Sequence, residues 1–464
     1  MPVTTSRPLT SLRSVRGIRW RAITTRTLRS RRALVVAFVA LHLAFLAWLL
    51  PLMLAGAVDG DLPLYREWAM HALDHGVWVG VDADWVYPVG ALLPVVLPAV
   101  FGAAAYQLVW FLLLTAANGI SLWVLTDAGR RRSAYPAAWW WLAILLILSP
   151  VALLRLEGFT GPMVIVALVL LGTRPRLASA LLAAAAWIKV WPAAVLLAAL
   201  IASGRRRIIA ISAGLTSLSI LAIAVAAGGL WHVASFLTTQ GSRHLQLESV
   251  LGTPWLWMAI AHVPGAEVYQ DWALETREVS GPGDIWIMEN GTGVMLAAVA
   301  VIAVLIGWAH RRRGASDADM RLFLTGALAL ATAFIVFDKV GSPQYMLWLA
   351  PIVVVGIAQL GRAWRVPTVL LTAIAVATTL VFPLFYLQLI DLDPGAATVL
   401  GVRNLLLVVL LGWTVRELWR LGRDGGGTSA ADAAVGFTRT GRSGLVGGTA
   451  RPDRPSRGAS TPSR

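Results

Sequence analysis

The stretch ALVVAFVALHLAFLAWLLPLMLAG, Ala33 to Gly56, carries no charged residue along its whole length. A helix rises 1.5 Å per residue, so a run of about twenty apolar residues spans the roughly 30 Å hydrocarbon core of a bilayer. Residues 1–32 before it hold nine Arg and no acid. A basic segment ahead of an apolar run can be a signal peptide. This run is too long for a signal peptide's apolar region, and no convincing small-residue cleavage site follows. The pair reads as a signal anchor with a cytoplasmic N-terminus.

Outward from this anchor, comparable apolar runs recur as far as Trp419. The chain is 58% hydrophobic and 14% charged, whereas soluble domains are closer to a quarter charged. These features predict an all-α fold, a polytopic transmembrane helical bundle of about 10–12 membrane helices with short interfacial helices in the outer loops. Three parts follow: a basic cytoplasmic segment over 1–32, a membrane domain over 33–420, and a disordered cytoplasmic tail over 421–464. The tail is rich in Gly, Ser, Thr, Arg and Pro, which bury too little apolar area to fold. The formal charge of +15 sits in Arg clusters flanking apolar runs. That is the positive-inside pattern, and the expected partners are membrane lipids, with no nucleic acid. The absence of Cys excludes disulfides, thiol catalysis and thiolate metal sites. The 22 Trp residues, with Trp139, Trp140 and Trp141 the densest group, suit interfacial belts.

Arg130–Arg132, Arg174 with Arg176, Arg205–Arg207, Arg311–Arg313 and Arg362 with Arg365 are expected on the cytoplasmic side. Spans consistent with them are 33–56, 104–126, 134–154, 160–173, 208–228, 291–309, 319–337, 345–360, 366–387 and 398–420. The protein is then a multi-pass cell-membrane protein with both termini cytoplasmic. The interval 177–203 has two cytoplasmic ends and Lys189-Val190-Trp191-Pro192 at its centre. Proline breaks a helix, and broken helices at membrane depth persist only within protein or beside water. Two short segments meeting near Lys189 are predicted. No internal repeat of the inverted-transporter kind is evident.

This topology gathers charges of both signs on the outer face, among them Asp59, Asp61, Glu67, Asp82, Asp84, Arg155, Glu157, Lys189, Glu248, Lys339 and Arg403. Charges at a bilayer are costly and usually functional. Of the 39 basic residues only Lys189 and Lys339 are lysines. A compact ammonium binds phosphate as a point charge; for Lys339 a local pair with Asp338 or snorkelling is the plainer reading. The first outer loop reads Asp59-Gly60-Asp61-Leu62-Pro63-Leu64-Tyr65. A carboxylate just beyond the first span can take a proton from an attacking hydroxyl beside a lipid-bound substrate. Asp-x-Asp also suits a divalent cation, although loops commonly contain that spacing.

Asp61-Leu62-Pro63-Leu64-Tyr65, Trp85-Val86-Tyr87-Pro88 and the helix start with Pro94 and Pro98 resemble glycosyltransferase family 87. Three later segments agree: Ala186-Trp187-Ile188-Lys189-Val190-Trp191-Pro192, Arg243-His244-Leu245-Gln246-Leu247-Glu248-Ser249, and Ser342 to Pro351. Val89 stands where the family usually has a second proline, and His244 where glycine is usual. The resemblance covers roughly residues 35–420. It implies a GT-C-like fold and a polyprenyl-phosphate-sugar-dependent, inverting hexosyltransferase. Such an enzyme would move a sugar, commonly mannose, to a lipid or glycan acceptor of the cell envelope on the extracytoplasmic side. It further implies Asp61 as catalytic base, with Asp59 as fallback. Lys189, Arg243, His244, Lys339 and Arg403 are the expected ligands of the donor phosphate. Tyr65, Tyr87, Glu248 and Gln344 are possible supporting residues. A lipid monophosphate leaving group requires no metal, and no cofactor is expected. The alternative reading is a transporter or flippase of a lipid-linked sugar, which should show paired repeats and a polar path.

Overall fold

A computed structural model describes residues 28–241, 244–272, 276–314 and 319–439. The described residues are predominantly helical. Among the described residues, six helical stretches are long and apolar enough to cross a membrane: Arg31–Leu54, Ala103–Leu125, Arg206–Ala226, Asp284–Arg312, Pro343–Leu384 and Pro394–Asp424. Shorter apolar helices fill much of the remaining expected span length, and the whole is an all-α polytopic bundle.

In chain order, α1 is Arg31–Leu54, α2 Leu62–His75, α3 Leu92–Ala99, α4 Tyr106–Leu125, α5 Tyr135–Ile147, α6 Glu157–Leu170, α7 Pro175–Ile188, α8 Pro192–Ala202 and α9 Arg206–Ala226. Then follow α10 Ser235–Gly241, α11 Thr253–Ile260, α12 Asp284–Arg312, α13 Met320–Val336, α14 Met346–Leu360, α15 Arg365–Thr379, α16 Tyr386–Ile390 and α17 Pro394–Arg439. Between α11 and α12 a hairpin pairs β1, Glu267–Asp271, with β2, Thr276–Ser280, antiparallel and in register from Glu267 opposite Ser280 to Asp271 opposite Thr276. The strands were not foreseen, and neither EVYQD nor TREVS carries the apolar–polar alternation that announces a half-buried strand.

Burial divides the helices into an inner and an outer set. α13 and α14 are buried at nearly every position and form the centre of the bundle. α9 and α12 present Leu215, Leu218, Ile223, Val301 and Val304 outward, each more than 60% exposed. A helix apolar on all faces belongs in lipid, so these surfaces are the lipid face.

Proline sets the breaks that matter most. α5 stops at Ile147, just ahead of Ser149-Pro150, and residues 148–156 run irregularly to the start of α6. α7 ends at Ile188, Lys189 is extended (φ −149°, ψ 133°), and Pro192 opens α8. Proline is well suited to the first turn of a helix, where its missing N–H costs nothing. The two short segments predicted for 177–203 are therefore present. The last helix continues past the expected boundary at 420 to Arg439.

A candidate active site at the helix breaks

Three breaks deliver four charged side chains to one end of the bundle. The α1–α2 turn supplies Asp61, the irregular 148–156 stretch supplies Arg155, the start of α6 supplies Glu157, and the α7–α8 break supplies Lys189.

Close packing of backbone fixes the first of these. Gly60 adopts φ +68°, and a Cβ there would lie 2.8 Å from Leu154 Cβ. Only glycine meets both demands without strain, and the contact places Asp61 beside Arg155. The Asp61 carboxylate forms a salt bridge with the Arg155 guanidinium, each side chain about one-fifth exposed (20% and 19%). Leu62 and Tyr65, on the first turns of α2, are fully buried. The Tyr65 hydroxyl reaches Asp61 Oδ2 at 3.2 Å and the Tyr87 hydroxyl at 3.4 Å. Burial, then the neighbouring Tyr87 and Asp61, push the Tyr65 hydroxyl well above its ordinary pKa. It stays protonated and can donate to the carboxylate.

Lys189 occupies the adjoining position. Its ammonium lies 3.3 Å from Glu157 Oε1 and 4.3 Å from the centroid of the Tyr87 ring, within reach of a cation–π contact. Tyr87 is held there by the following loop, since a Cβ on Gly90 would come within 2.7 Å of the Trp187 carbonyl. Glu157 is 1% exposed and also accepts from Trp348 Nε1 at 3.4 Å. Its second oxygen, Oε2, is buried with no hydrogen-bond partner. Trp348 stacks on Tyr345 at 3.8 Å, in the segment beginning with Ser342-Pro343-Gln344. Gln344 is buried and its Oε1 lacks a partner.

The other expected site residues fall in different surroundings. Asp59 turns back on its own loop, Oδ1 accepting from Gly60 N–H at 2.7 Å. His244 is exposed, and Arg243 lies outside the described residues. Lys339 is 6% exposed and donates to the Met288 carbonyl at 3.4 Å; its burial lowers the ammonium pKa. Arg403 is 1% exposed and works as a brace. It donates to the carbonyls of Glu248 (3.1 Å) and Gly341 (2.9 Å) and to Asn404 Oδ1 (2.8 Å). Asn404 in turn donates to the Ser249 carbonyl at 3.1 Å and Thr253 Oγ1 at 2.7 Å. Glu248 beside it has its pKa pushed up to about 6, chiefly by burial, with Arg403, Tyr386 and Arg155 opposing.

Arg155 and Glu157 belonged to the outer charges in the sequence but were not singled out for the site. The signal was present: between Arg132 and Arg174 they are the only charged residues. Among the described residues, no group of three or more His, Cys, Asp or Glu side chains could hold a metal ion.

This arrangement offers a carboxylate reachable from solvent, a phenol donating to it, and two cations held in place by acids. The family model of Glycosyltransferase family 87 matches residues 85–279. The matched segment contains Tyr87, Arg155, Glu157, Lys189 and Glu248, while Asp61 precedes it. No curated protein and no solved structure matches the chain. The match supports the assignment to glycosyltransferase family 87 over residues 85–279.

Proposed function

We propose that the chain transfers a sugar, mannose in our reading, from a polyprenyl-phosphate donor to a lipid or glycan acceptor of the cell envelope. The reaction inverts the anomeric centre and takes place on the extracytoplasmic side. The observation that carries this reading is the pairing of Asp61 with Arg155 and of Glu157 with Lys189 at one end of the helices.

In this mechanism the acceptor hydroxyl attacks C1 of the donor sugar, and its proton passes to the Asp61 carboxylate. The bond from C1 to the phosphate oxygen breaks, and the polyprenyl phosphate leaves with the electron pair. Charge grows on that phosphate in the transition state, where fixed cations act most strongly. Lys189 and Arg155 supply them. Tyr65, held protonated by its surroundings, orients Asp61. Lys339 and Arg403, each donating to backbone carbonyls, are assigned to support the loops around the site.

Asparagine is nearly isosteric with aspartate but cannot take the proton. Asp61→Asn should fold and bind donor, yet lose on the order of 10²–10⁴ in turnover. Asp59→Asn should lose far less, because its side chain serves the loop turn. Sugar transfer by both purified variants in lipid, with donor binding in parallel, is the test. A dead Asp59→Asn beside an active Asp61→Asn would reassign the base, and two active variants would end this mechanism.

A further inference from the structure

At the other end of α1 the chain forms a second concavity. A cavity of about 760 Å³ is lined by Arg29, Ser30, Arg31, Arg32, Gly129, Arg132 and Tyr135, a volume within the usual range of ligand sites. The lining comes from two segments about a hundred residues apart. α1 separates the cavity from the Asp61 loop by its full 24 residues, roughly 36 Å at 1.5 Å per residue, so the two sites lie at opposite membrane surfaces.

The segment before α1 is fixed in place. Trp139 Nε1 donates to the Leu28 carbonyl at 3.1 Å, and Ser30 Oγ caps the helix through Ala33 N–H at 3.3 Å. The opposite wall is equally fixed, with the Tyr135 hydroxyl donating to the Gly129 carbonyl at 2.7 Å. Gly129 has φ +80°, and a Cβ there would lie 2.7 Å from the Arg31 side chain. The loop therefore lies directly against the Arg31 stem.

The three arginines of that loop have separate uses. Arg130 takes the loop's one acid, Asp127, at 2.6 Å. Arg131 donates to the Ala358 carbonyl and Gln359 Oε1 at 3.1 and 3.0 Å. Arg132 faces the cavity. Among the described residues, Arg29, Arg31, Arg32 and Arg132 form no ion pair, and the first turn of α1 contains no acid. Positive-inside bias accounts for arginines at this surface but not for four of them meeting around one cavity without a carboxylate. Like charges repel, and an anion between them removes that cost.

We propose that this cavity binds the phosphate of an anionic phospholipid headgroup from the leaflet opposite the transfer site. Guanidinium groups match phosphate oxygens in geometry, and a basic pocket between membrane helices is a known form of headgroup site. The acyl chains would continue along the apolar surface of α1, where Val35, Val36 and Val39 are exposed.

The test is native mass spectrometry of the full-length protein titrated with phosphatidylglycerol and, separately, phosphatidylcholine. Wild type should hold phosphatidylglycerol in clear preference. Arg31→Gln/Arg132→Gln should weaken that binding about tenfold or more, the weight of two arginines at a membrane surface. Arg31→Lys/Arg132→Lys, which keeps the charge, should retain most of it. Arg206→Gln/Arg207→Gln, at exposed arginines outside the cavity, should bind as wild type does. Equal loss in the Arg206/Arg207 variant, or undiminished binding in the Arg31/Arg132 variant, would reduce the cavity arginines to topological charges. Displacement of the lipid by millimolar glycerol 3-phosphate would overturn the lipid assignment in favour of a free phosphate.

Discussion

Two buried cationic regions of this molecule use their charges differently. At the helix breaks, Arg155 and Lys189 are paired with the side chains of Asp61 and Glu157, and all but Glu157 keep some exposure. By contrast, Arg403 is almost completely enclosed and donates chiefly to backbone carbonyls. A carbonyl in a fixed loop cannot exchange partners, whereas a carboxylate on a side chain can. In the proposed mechanism the first region admits the donor phosphate and frees the base, and the second supports the loops. Sign of charge does not distinguish the two regions; the kind of acceptor does.

Lys189 offers the largest test of that contrast. Lys189→Met alone should lower transition-state stabilisation about 10²–10³-fold, the typical worth of one electrostatic donor. It should also destabilise the fold, because Glu157, 1% exposed, is left without its cation. Adding Glu157→Gln removes the stranded charge. The double variant should regain thermal stability in detergent without regaining transfer. Transfer restored along with stability would mean that Lys189 serves the fold alone.

Arg403 should behave in the opposite way. Arg403→Gln leaves the Glu248 and Gly341 carbonyls short of donors, at about 1–3 kcal/mol for an unsatisfied buried group. The melting temperature should fall by several degrees, while kcat/KM per folded molecule stays within a few-fold of wild type. A stable Arg403→Gln protein with abolished donor use would move Arg403 into the binding machinery.

The smallest effect concerns Glu248. Its folded pKa of about 6 lies above the ordinary carboxyl value of 4.5, so the native state holds the proton more tightly than the unfolded chain. Stability is then greatest below about 4.5, declines as pH rises through about 6, and above that carries a penalty of about 2 kcal/mol. Glu248→Gln has no carboxyl to ionise. The drop in melting temperature between pH 5 and pH 7.5 should be smaller in the variant than in wild type, and equal drops would show that Glu248 is not the group responsible.

Much of this was legible in the sequence because membrane helices announce themselves by composition. The apolar run from Ala33, the Arg clusters and the proline after Lys189 led to the bundle and to the break at 189–192 by simple arguments. Asp61 stood out because it follows the first span directly. Pairing was not legible. Arg155 and Glu157 lie about ninety residues beyond Asp61, and nothing local announces that the irregular 148–156 stretch packs Leu154 against Gly60. Arg403 was expected at the donor phosphate, and its bonds to the Glu248 and Gly341 carbonyls could not be read from the sequence, where an outer cation looks alike whatever it faces. The hairpin of Glu267–Asp271 and Thr276–Ser280 was passed over because helical expectations governed the outer loops.

The central claim is that the paired charges at the helix breaks serve transfer from a lipid monophosphate sugar. The most direct measurement supplies purified wild-type protein in lipid with synthetic polyprenyl-phosphate sugars and, separately, with nucleotide sugars, and follows the anomeric configuration of the product. The account predicts transfer from a polyprenyl-phosphate donor, mannose foremost, with inversion and release of polyprenyl phosphate, and none from the nucleotide sugar. Retention of configuration, or transfer from the nucleotide sugar alone, would contradict it.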